Sequence, residues 1–93
     1  MTKHNPNSES MFSAVVRDYA RRKHENQYNF ADHIGVRQTE VSSWITGKSL
    51  PTGSTLENIA DDMGLAPETL QSLSRVSVAD AMKIVLENLE QEG

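Results

Sequence analysis

The stretch from residue 27 to residue 47 places two groups of apolar residues on either side of one glycine. Phe30 and Ile34 stand four positions apart before Gly35, and a second apolar group follows at helical spacing. The second group consists of Val41, Trp44 and Ile45. Glycine is the usual residue where a helix ends in the left-handed backbone region, because other residues lose about 1 kcal/mol there. The stretch therefore predicts two short amphipathic helices joined by a tight turn.

A small residue lies where the second helix is expected to cross the first. Ala31 is on the same side of the first helix as Phe30 and Ile34, four positions before Gly35. Its side chain is small enough to let the second helix pass closely over it. Two helices that cross at a short turn containing glycine form a helix-turn-helix, which is a common DNA-binding element.

Two further segments extend this pattern along the chain. Gly47-Lys48-Ser49-Leu50-Pro51 follows the second helix, and Leu56-Glu57-Asn58-Ile59-Ala60-Asp61-Asp62-Met63-Gly64-Leu65 comes next. With them, residues 10 to 73 resemble the DNA-binding element of the Cro/CI-type family, also called lambda-repressor-like or XRE. The resemblance implies an all-α, five-helix domain that binds double-stranded DNA, usually as a dimer in transcriptional control. Beyond it we expect an additional C-terminal amphipathic helix.

The composition is that of one small domain. With 93 residues, of which 37% are hydrophobic, the chain can form one helical core but not two. It contains no cysteine, which excludes disulfides and thiolate metal sites. No segment approaches the ~20 apolar residues of a membrane span, and the first residues lack the apolar region of a signal peptide. We therefore expect a soluble protein of the cytoplasm.

The charge is unevenly distributed along the chain. The net charge is -4, yet residues 1 to 56 hold seven Lys or Arg and five Asp or Glu, a balance of +2. Residues 57 to 93 hold two and eight, a balance of -6. This asymmetry indicates that one end of the protein faces phosphate and the other does not.

The first helix is predicted to begin at residue 9 or 10 and to end at Arg22, after a flexible segment at residues 1–8. A basic arm that reaches DNA is the alternative for residues 1–8, although they contain one lysine. The inward face of the helix contains Phe12, Val15, Val16, Tyr19 and Ala20. Its end carries Arg21, Arg22, Lys23 and His24. We expect this run to be solvated and favoured by the helix dipole, with a phosphate contact as the alternative.

The helix that precedes the turn carries a glutamine at its start. The resemblance implies that Gln27 contacts the DNA backbone and braces the recognition helix, and helix N-termini offer free N–H groups to phosphates in any case. The alternative is that Gln27 or Asn26 only caps the helix. We expect His33 to be exposed beside Asp32, because no second His or Cys stands at metal-ligand spacing. No metal site is therefore predicted.

The helix after the turn, about residues 38 to 46, is predicted to be the recognition helix. Its outer face is uncharged except for Glu40 and shows Gln38, Thr39, Ser42, Ser43 and Thr46. Amide and hydroxyl groups suit the reading of base edges, because glutamine offers both a donor and an acceptor to adenine. The resemblance implies that Gln38, Thr39 and Ser43 contact bases, and we add Ser42. The alternative is that Ser and Thr here are simply solvated.

The chain departs from the family pattern in two respects. Arg37 stands where a Ser or Thr commonly caps the recognition helix, and it cannot accept from free N–H groups. Glu40 could still reach back as half of a capping box, which leaves Arg37 to point at phosphate or guanine. Ala20 and Ile45 stand where many members have an Arg–Glu ion pair. A small apolar contact can replace such a pair without loss of stability.

The loop after the recognition helix is expected to contact phosphates. The resemblance implies that Lys48 and Ser49 grip the DNA backbone, and we expect Thr46 to join them. Surface solvation is the alternative. Thr52 or Ser54 is then expected to cap the fourth helix, which Gly64 ends, and Pro67 opens the fifth.

Residues 77 to 91 are predicted to form the last helix, capped by Ser77 with Asp80. Its apolar stripe contains Val78, Ala81, Met82, Val85, Leu86 and Leu89. Because residues 9–74 already complete the family domain, the stripe needs another surface. It either folds back or, as we prefer, joins a second copy, which makes residues 75–93 a dimerisation element. Val78, Met82, Val85, Leu86 and Leu89 would then form the contact.

Two functional hypotheses follow. The first is a dimeric DNA-binding regulator, a repressor of phage or mobile-element type, that binds a palindromic operator in the major groove. The second is an antitoxin or adaptor that holds a protein partner through its last helix. We expect no enzymatic activity and no cofactor, because there is no recognisable nucleophile–base spacing and no Gly-rich phosphate loop.

Overall fold

The computed structural model describes residues 9–92, so the expectation of a flexible segment at residues 1–8 lies outside it. The described chain contains six α-helices and no strand. They are α1 (Met11–His24), α2 (Gln27–Ile34), α3 (Gln38–Ile45), α4 (Gly53–Met63), α5 (Pro67–Ser72) and α6 (Val78–Glu92), with a 3-10 turn at Leu73–Arg75 between the last two. The predicted all-α fold with an additional C-terminal helix is confirmed.

The helix ends follow the capping signals in the sequence. The Asn26 side chain accepts a 2.8 Å hydrogen bond from the Asn29 N–H, so Asn26 and not Gln27 caps α2. Gly35 ends α2 with a φ of 78°, in the left-handed region that the turn requires. Ser77 caps α6 by accepting from the Asp80 N–H at 3.0 Å. The predicted turn at Gly35 is therefore present in the structure.

Some predicted local details are wrong. α1 continues two residues beyond Arg22, to His24. Thr52 is at the start of α4 but its side chain makes no capping bond, and Ser54 lies inside the helix. Among the described residues the Arg37 N–H does not donate to the Glu40 side chain, so the half capping box does not form and α3 begins without a side-chain cap.

The five helices α1, α2, α3, α4 and α5 share one hydrophobic core. Its buried members are Phe12, Val16, Ala20, Phe30, Ala31, Val41, Trp44, Ile45, Leu56, Ile59, Ala60 and Leu70. Trp44 and Ala31 are buried as predicted, and Ala20 and Ile45 lie in the same core in place of an ion pair. Val15 is only half-buried, whereas Ser13, which was not expected inside, is 2% exposed.

The start of α6 is fixed to the start of α1. The Val78 N–H donates to the Glu9 carbonyl and the Met11 N–H donates to the Val76 carbonyl, both at 2.7 Å. Beyond its first turn α6 leaves the core. The four apolar side chains Met82, Val85, Leu86 and Leu89 are 56–60% exposed. Within the described residues the stripe does not fold back onto its own domain. None of the described helices is long and apolar enough to cross a membrane.

Candidate nucleic-acid interface

The outer face of α3 is open and polar. Gln38, Thr39 and Thr46 are exposed, and Ser42 and Ser43 are half-buried at its edge. The opposite side of the helix holds Val41, Trp44 and Ile45, which are 0–6% exposed and fix its rotation about its own axis. The predicted base-contacting residues of α3 therefore share one accessible face.

Two hydroxyl groups on this face are already committed as donors. Ser43 Oγ donates to the Thr39 carbonyl at 3.0 Å, and Thr46 Oγ1 donates to the Ser42 carbonyl at 2.8 Å. A hydroxyl has one hydrogen and two lone pairs, so in this arrangement each can only accept from an outside group. Ser43 is thus suited to a base amino group. The Thr46 hydroxyl must break its hydrogen bond to the Ser42 carbonyl before it can donate to a phosphate oxygen.

Gln27 and Gln38 line the same shallow pocket between the starts of α2 and α3. The pocket is also bordered by Arg17 and Arg21. Because Asn26 caps α2, the Gln27 amide keeps its donors and acceptor available in the described part of the chain. A backbone contact from Gln27 and a base contact from Gln38 are therefore compatible with one position of DNA.

The cationic side chains around α3 differ in whether they form ion pairs. Arg17 forms a two-point ion pair with Glu9. Arg21 and Arg22 both pair with Asp18, at 3.3 and 3.0 Å. Arg37 and Lys48, at the two ends of α3, are exposed and form no ion pair among the side chains of residues 9–90. The free positive charges thus flank the polar face.

The backbone of the loop after α3 forms hydrogen bonds with the last carbonyl groups of that helix. The backbone N–H groups of Lys48 and Ser49 donate to the Ser43 carbonyl at 2.8 and 3.3 Å, and Gly47 donates to the Trp44 carbonyl at 3.3 Å. These N–H groups satisfy the last carbonyls of the helix and are not available to phosphate. Only the side chains of Lys48 and Ser49, both exposed, remain for that contact.

A second cluster lies where the ends of α1, α2 and α4 meet. It consists of Tyr19, His24, His33 and Asp62, and we call it the His–Asp cluster. Asp62 Oδ2 lies 3.0 Å from His24 Nε2, and Asp62 Oδ1 lies 2.8 Å from His33 Nε2. One sequence expectation is wrong here, because the His24 side chain is 15% exposed and not part of a solvated face. His33 is exposed as expected, but it does not stand alone, since the His24 ring lies beside it.

The cluster changes the acidity of two of its members. Burial, followed by the hydrogen bond and the charge of Asp62, raises the pKa of Tyr19 to about 12. Burial alone would raise the pKa of Asp62. Hydrogen bonds from Tyr19, His24 and His33 outweigh it and hold that pKa below the ordinary 3.8. Asp62 is therefore a carboxylate at neutral pH.

The His–Asp cluster could not have been found from sequence spacing. Its members lie on three helices, and Asp62 stands 38 residues after His24. Ser13 is similar, because its hydroxyl donates at 2.7 Å to the Trp44 carbonyl, 31 residues away. In each case the signal is a polar residue on a helix face that packs inward, which becomes visible only once helix packing is known.

Comparison with known proteins gives one clear match. A family profile described as helix-turn-helix (HTH_3, the XRE family) matches residues 19–70, from the second half of α1 into α5. Searches of curated proteins and of solved structures gave no significant match. The matched region covers more than half of the chain and contains α2, the turn at Gly35 and α3. The chain therefore belongs to the Cro/CI-type (XRE) helix-turn-helix family and is a DNA-binding transcription regulator.

Proposed function

We propose that the protein is a repressor of phage or mobile-element type that acts in the cytoplasm and binds a palindromic operator as a homodimer. The observation that carries the proposal is the open face of α3, which is uncharged except for Glu40. The cations Arg37 and Lys48 flank it at its two ends and are unpaired among the described side chains. Such a face suits the major groove, where amides and hydroxyls distinguish base pairs and cations contact phosphates.

The base contacts are assigned to the α3 face. Gln38 and Thr39 are the most accessible and are the principal readers in this proposal. Ser43 and Ser42 lie further along the helix, and Ser43 accepts from a base amino group because its hydrogen is engaged. Arg37 stands at the start of α3 and reaches a guanine or the adjacent phosphate.

The phosphate contacts are assigned to residues on either side of α3. Gln27 contacts the backbone from the first turn of α2, where free N–H groups add to the attraction. Lys48 and Ser49 contact it through their side chains from the loop after α3, because their backbone N–H groups are engaged. Thr46 joins them after its hydroxyl turns away from Ser42.

The dimer contact is assigned to α6, so that residues 9–74 bind DNA and residues 75–93 bind a second copy. Exposure of 55–60% at five large apolar side chains of one helix supports this, since soluble monomers seldom expose such a stripe. Four of them, Met82, Val85, Leu86 and Leu89, belong to the stripe, and Ile84 lies outside it. Val78, half-buried at the start of the helix, extends the contact.

Selection of bound fragments from random DNA tests this function. The proposal predicts an enriched two-fold motif whose half-sites are centred about 34 Å apart, one helical turn of DNA. Enrichment of no motif would contradict sequence-specific binding. An asymmetric motif with a monomeric protein would contradict the dimer and favour an adaptor that uses α6 to hold another protein.

A further inference from the structure

The His–Asp cluster brings three metal-binding side chains to one point. One ligand atom from each of His24, His33 and Asp62 can be chosen so that all three lie within 4.8 Å of one another. The two imidazole rings lie side by side, with centroids 4.7 Å apart. None of these residues belongs to the DNA-binding face, so the DNA-binding function does not account for their arrangement.

The distances suit a small transition-metal ion. In a tetrahedral zinc site with ligand bonds of about 2.0–2.1 Å, neighbouring ligand atoms stand about 3.3 Å apart. The two imidazole nitrogens lie 3.0 and 2.8 Å from the Asp62 carboxylate. One ligand atom from each residue lies within 4.8 Å of the other two. Side-chain rotations that bring these atoms closer by up to about 1.5 Å would therefore convert the hydrogen-bonded arrangement into a ligand set.

The surroundings hold two of the three ligands in place. The Tyr19 hydroxyl lies 2.8 Å from Asp62 Oδ2 and 2.7 Å from the Asp62 carbonyl, and it orients the carboxylate. The His24 ring packs against Tyr19 and Phe30, with centroids 5.6 and 5.3 Å away. Hydrogen bonds of this kind to a ligating carboxylate are common around protein metal sites and raise their affinity.

The third ligand leaves the cluster accessible. The His33 side chain is 56% exposed, compared with 18% for Asp62. Beside it lies a polar pocket that Asn58 and Asp61 also line. An ion can enter from this side, and the fourth coordination position is open to water or to an external ligand.

We propose that His24, His33 and Asp62 bind one Zn²⁺ ion. Two imidazoles and one carboxylate are ligands that zinc accepts, whereas Mg²⁺ and Ca²⁺ prefer sites made of oxygen atoms only. The ion joins α1, α2 and α4 at their C-terminal ends, and α2 is the first helix of the helix-turn-helix. Zinc therefore stabilises the DNA-binding domain from a side that DNA does not contact. This inference is independent of the proposed operator and dimer.

Isothermal titration of the full-length, tag-free protein tests the site. The protein is first dialysed against EDTA and then freed of the chelator, and zinc chloride is the titrant, with magnesium chloride as the control cation. We expect one zinc ion per chain and no binding of magnesium. Cobalt chloride should also bind and give the visible absorption of a tetrahedral ion. Zinc in hundredfold excess over its Kd should raise the melting temperature by roughly 10–20 °C.

Four variants separate this site from adventitious binding. His33→Gln removes the exposed ligand without opening the core and should abolish the zinc-dependent rise in melting temperature, and Asp62→Asn should do the same. Tyr19→Phe keeps all three ligands and should weaken zinc binding about tenfold. His4→Gln removes the third histidine of the chain and should leave binding unchanged.

Each variant is compared with and without zinc, so that a change in its own stability does not enter the result. Absence of zinc binding by the unchanged protein would overturn the proposal and leave a hydrogen-bonded cluster. Binding that survives both His33→Gln and Asp62→Asn would overturn it equally.

Discussion

Ser13 donates a buried 2.7 Å hydrogen bond to the backbone carbonyl of Trp44. Ser13 lies in the first turn of α1 and Trp44 near the end of α3, so this bond ties α3 to a helix that makes no base contact in the proposal. The Ser13 hydroxyl in turn accepts from Ser10 Oγ at 3.2 Å. Ser10 also caps α1. The start of α1 and the end of α3 therefore share one small polar network inside an apolar core.

Replacement of Ser13 should destabilise the domain. Ser13→Ala removes a buried hydrogen bond and leaves a small void, and we expect a loss of about 1 kcal/mol in the free energy of unfolding. Urea unfolding followed by circular dichroism measures this loss. Ser54→Ala is the matched control, since Ser54 is exposed, and it should change the stability by less than about 0.5 kcal/mol. Equal effects of the two variants would show that the bond to Trp44 contributes nothing.

Lys48 should contribute to affinity and not to sequence preference. It is exposed, forms no ion pair among the side chains of residues 9–90 and stands in the loop after α3. Lys48→Ala should weaken binding to all duplexes by a similar factor and reduce the slope of log K against log salt by ~1. Fluorescence anisotropy at several salt concentrations measures both quantities.

Lys83→Ala provides the control for the loss of a positive charge. Lys83 lies on α6 beside Glu87 and Glu90, in the helix assigned to the dimer contact. Its removal should leave the salt slope unchanged. A slope that falls equally in both variants would contradict the assigned role of Lys48.

Leu86 should be required for self-association. It is 56% exposed in the single chain, near the middle of the α6 stripe. Leu86→Asp places a charge in the proposed apolar contact, so the protein should become monomeric and bind a palindromic site more weakly. Light scattering and analytical ultracentrifugation measure the mass.

Asn88→Asp adds the same charge to the same helix outside the stripe, and should remain dimeric. The dimer hypothesis would be wrong if the unchanged protein is monomeric at micromolar concentration. It would also be wrong if both variants remain dimeric.

The elements that depend on neighbouring residues were predictable from the sequence. Apolar spacing around Gly35 predicted α2, α3 and the turn between them, because a left-handed helix end favours glycine. Ser77 predicted the start of α6 because a serine side chain can accept a hydrogen bond from a free N–H group in the first turn of a helix. The inward position of Trp44 followed from helical periodicity alone.

The features that depend on packing between distant segments were not predictable. His24 belonged to a cationic run that looked solvated, but α1 continues far enough for its ring to reach Phe30 and Asp62. Asp62 stood in the acidic half of the chain with no local partner. On α3, periodicity predicted Ser43 on the outer face, where it is half-buried at the edge, but could not reveal that its hydroxyl donates to the Thr39 carbonyl.

The central claim is that the exposed face of α3 reads base pairs, and Gln38 is its most direct probe. The measurement is the ratio of Kd for a scrambled duplex to Kd for the selected site, at one salt concentration, for the unchanged protein and for Gln38→Ala. We expect a ratio of about 1,000 or more that falls about 5- to 150-fold in the variant, as loss of one base contact worth ~1–3 kcal/mol requires. A ratio near one for the unchanged protein, or the same ratio for both proteins, would contradict the claim.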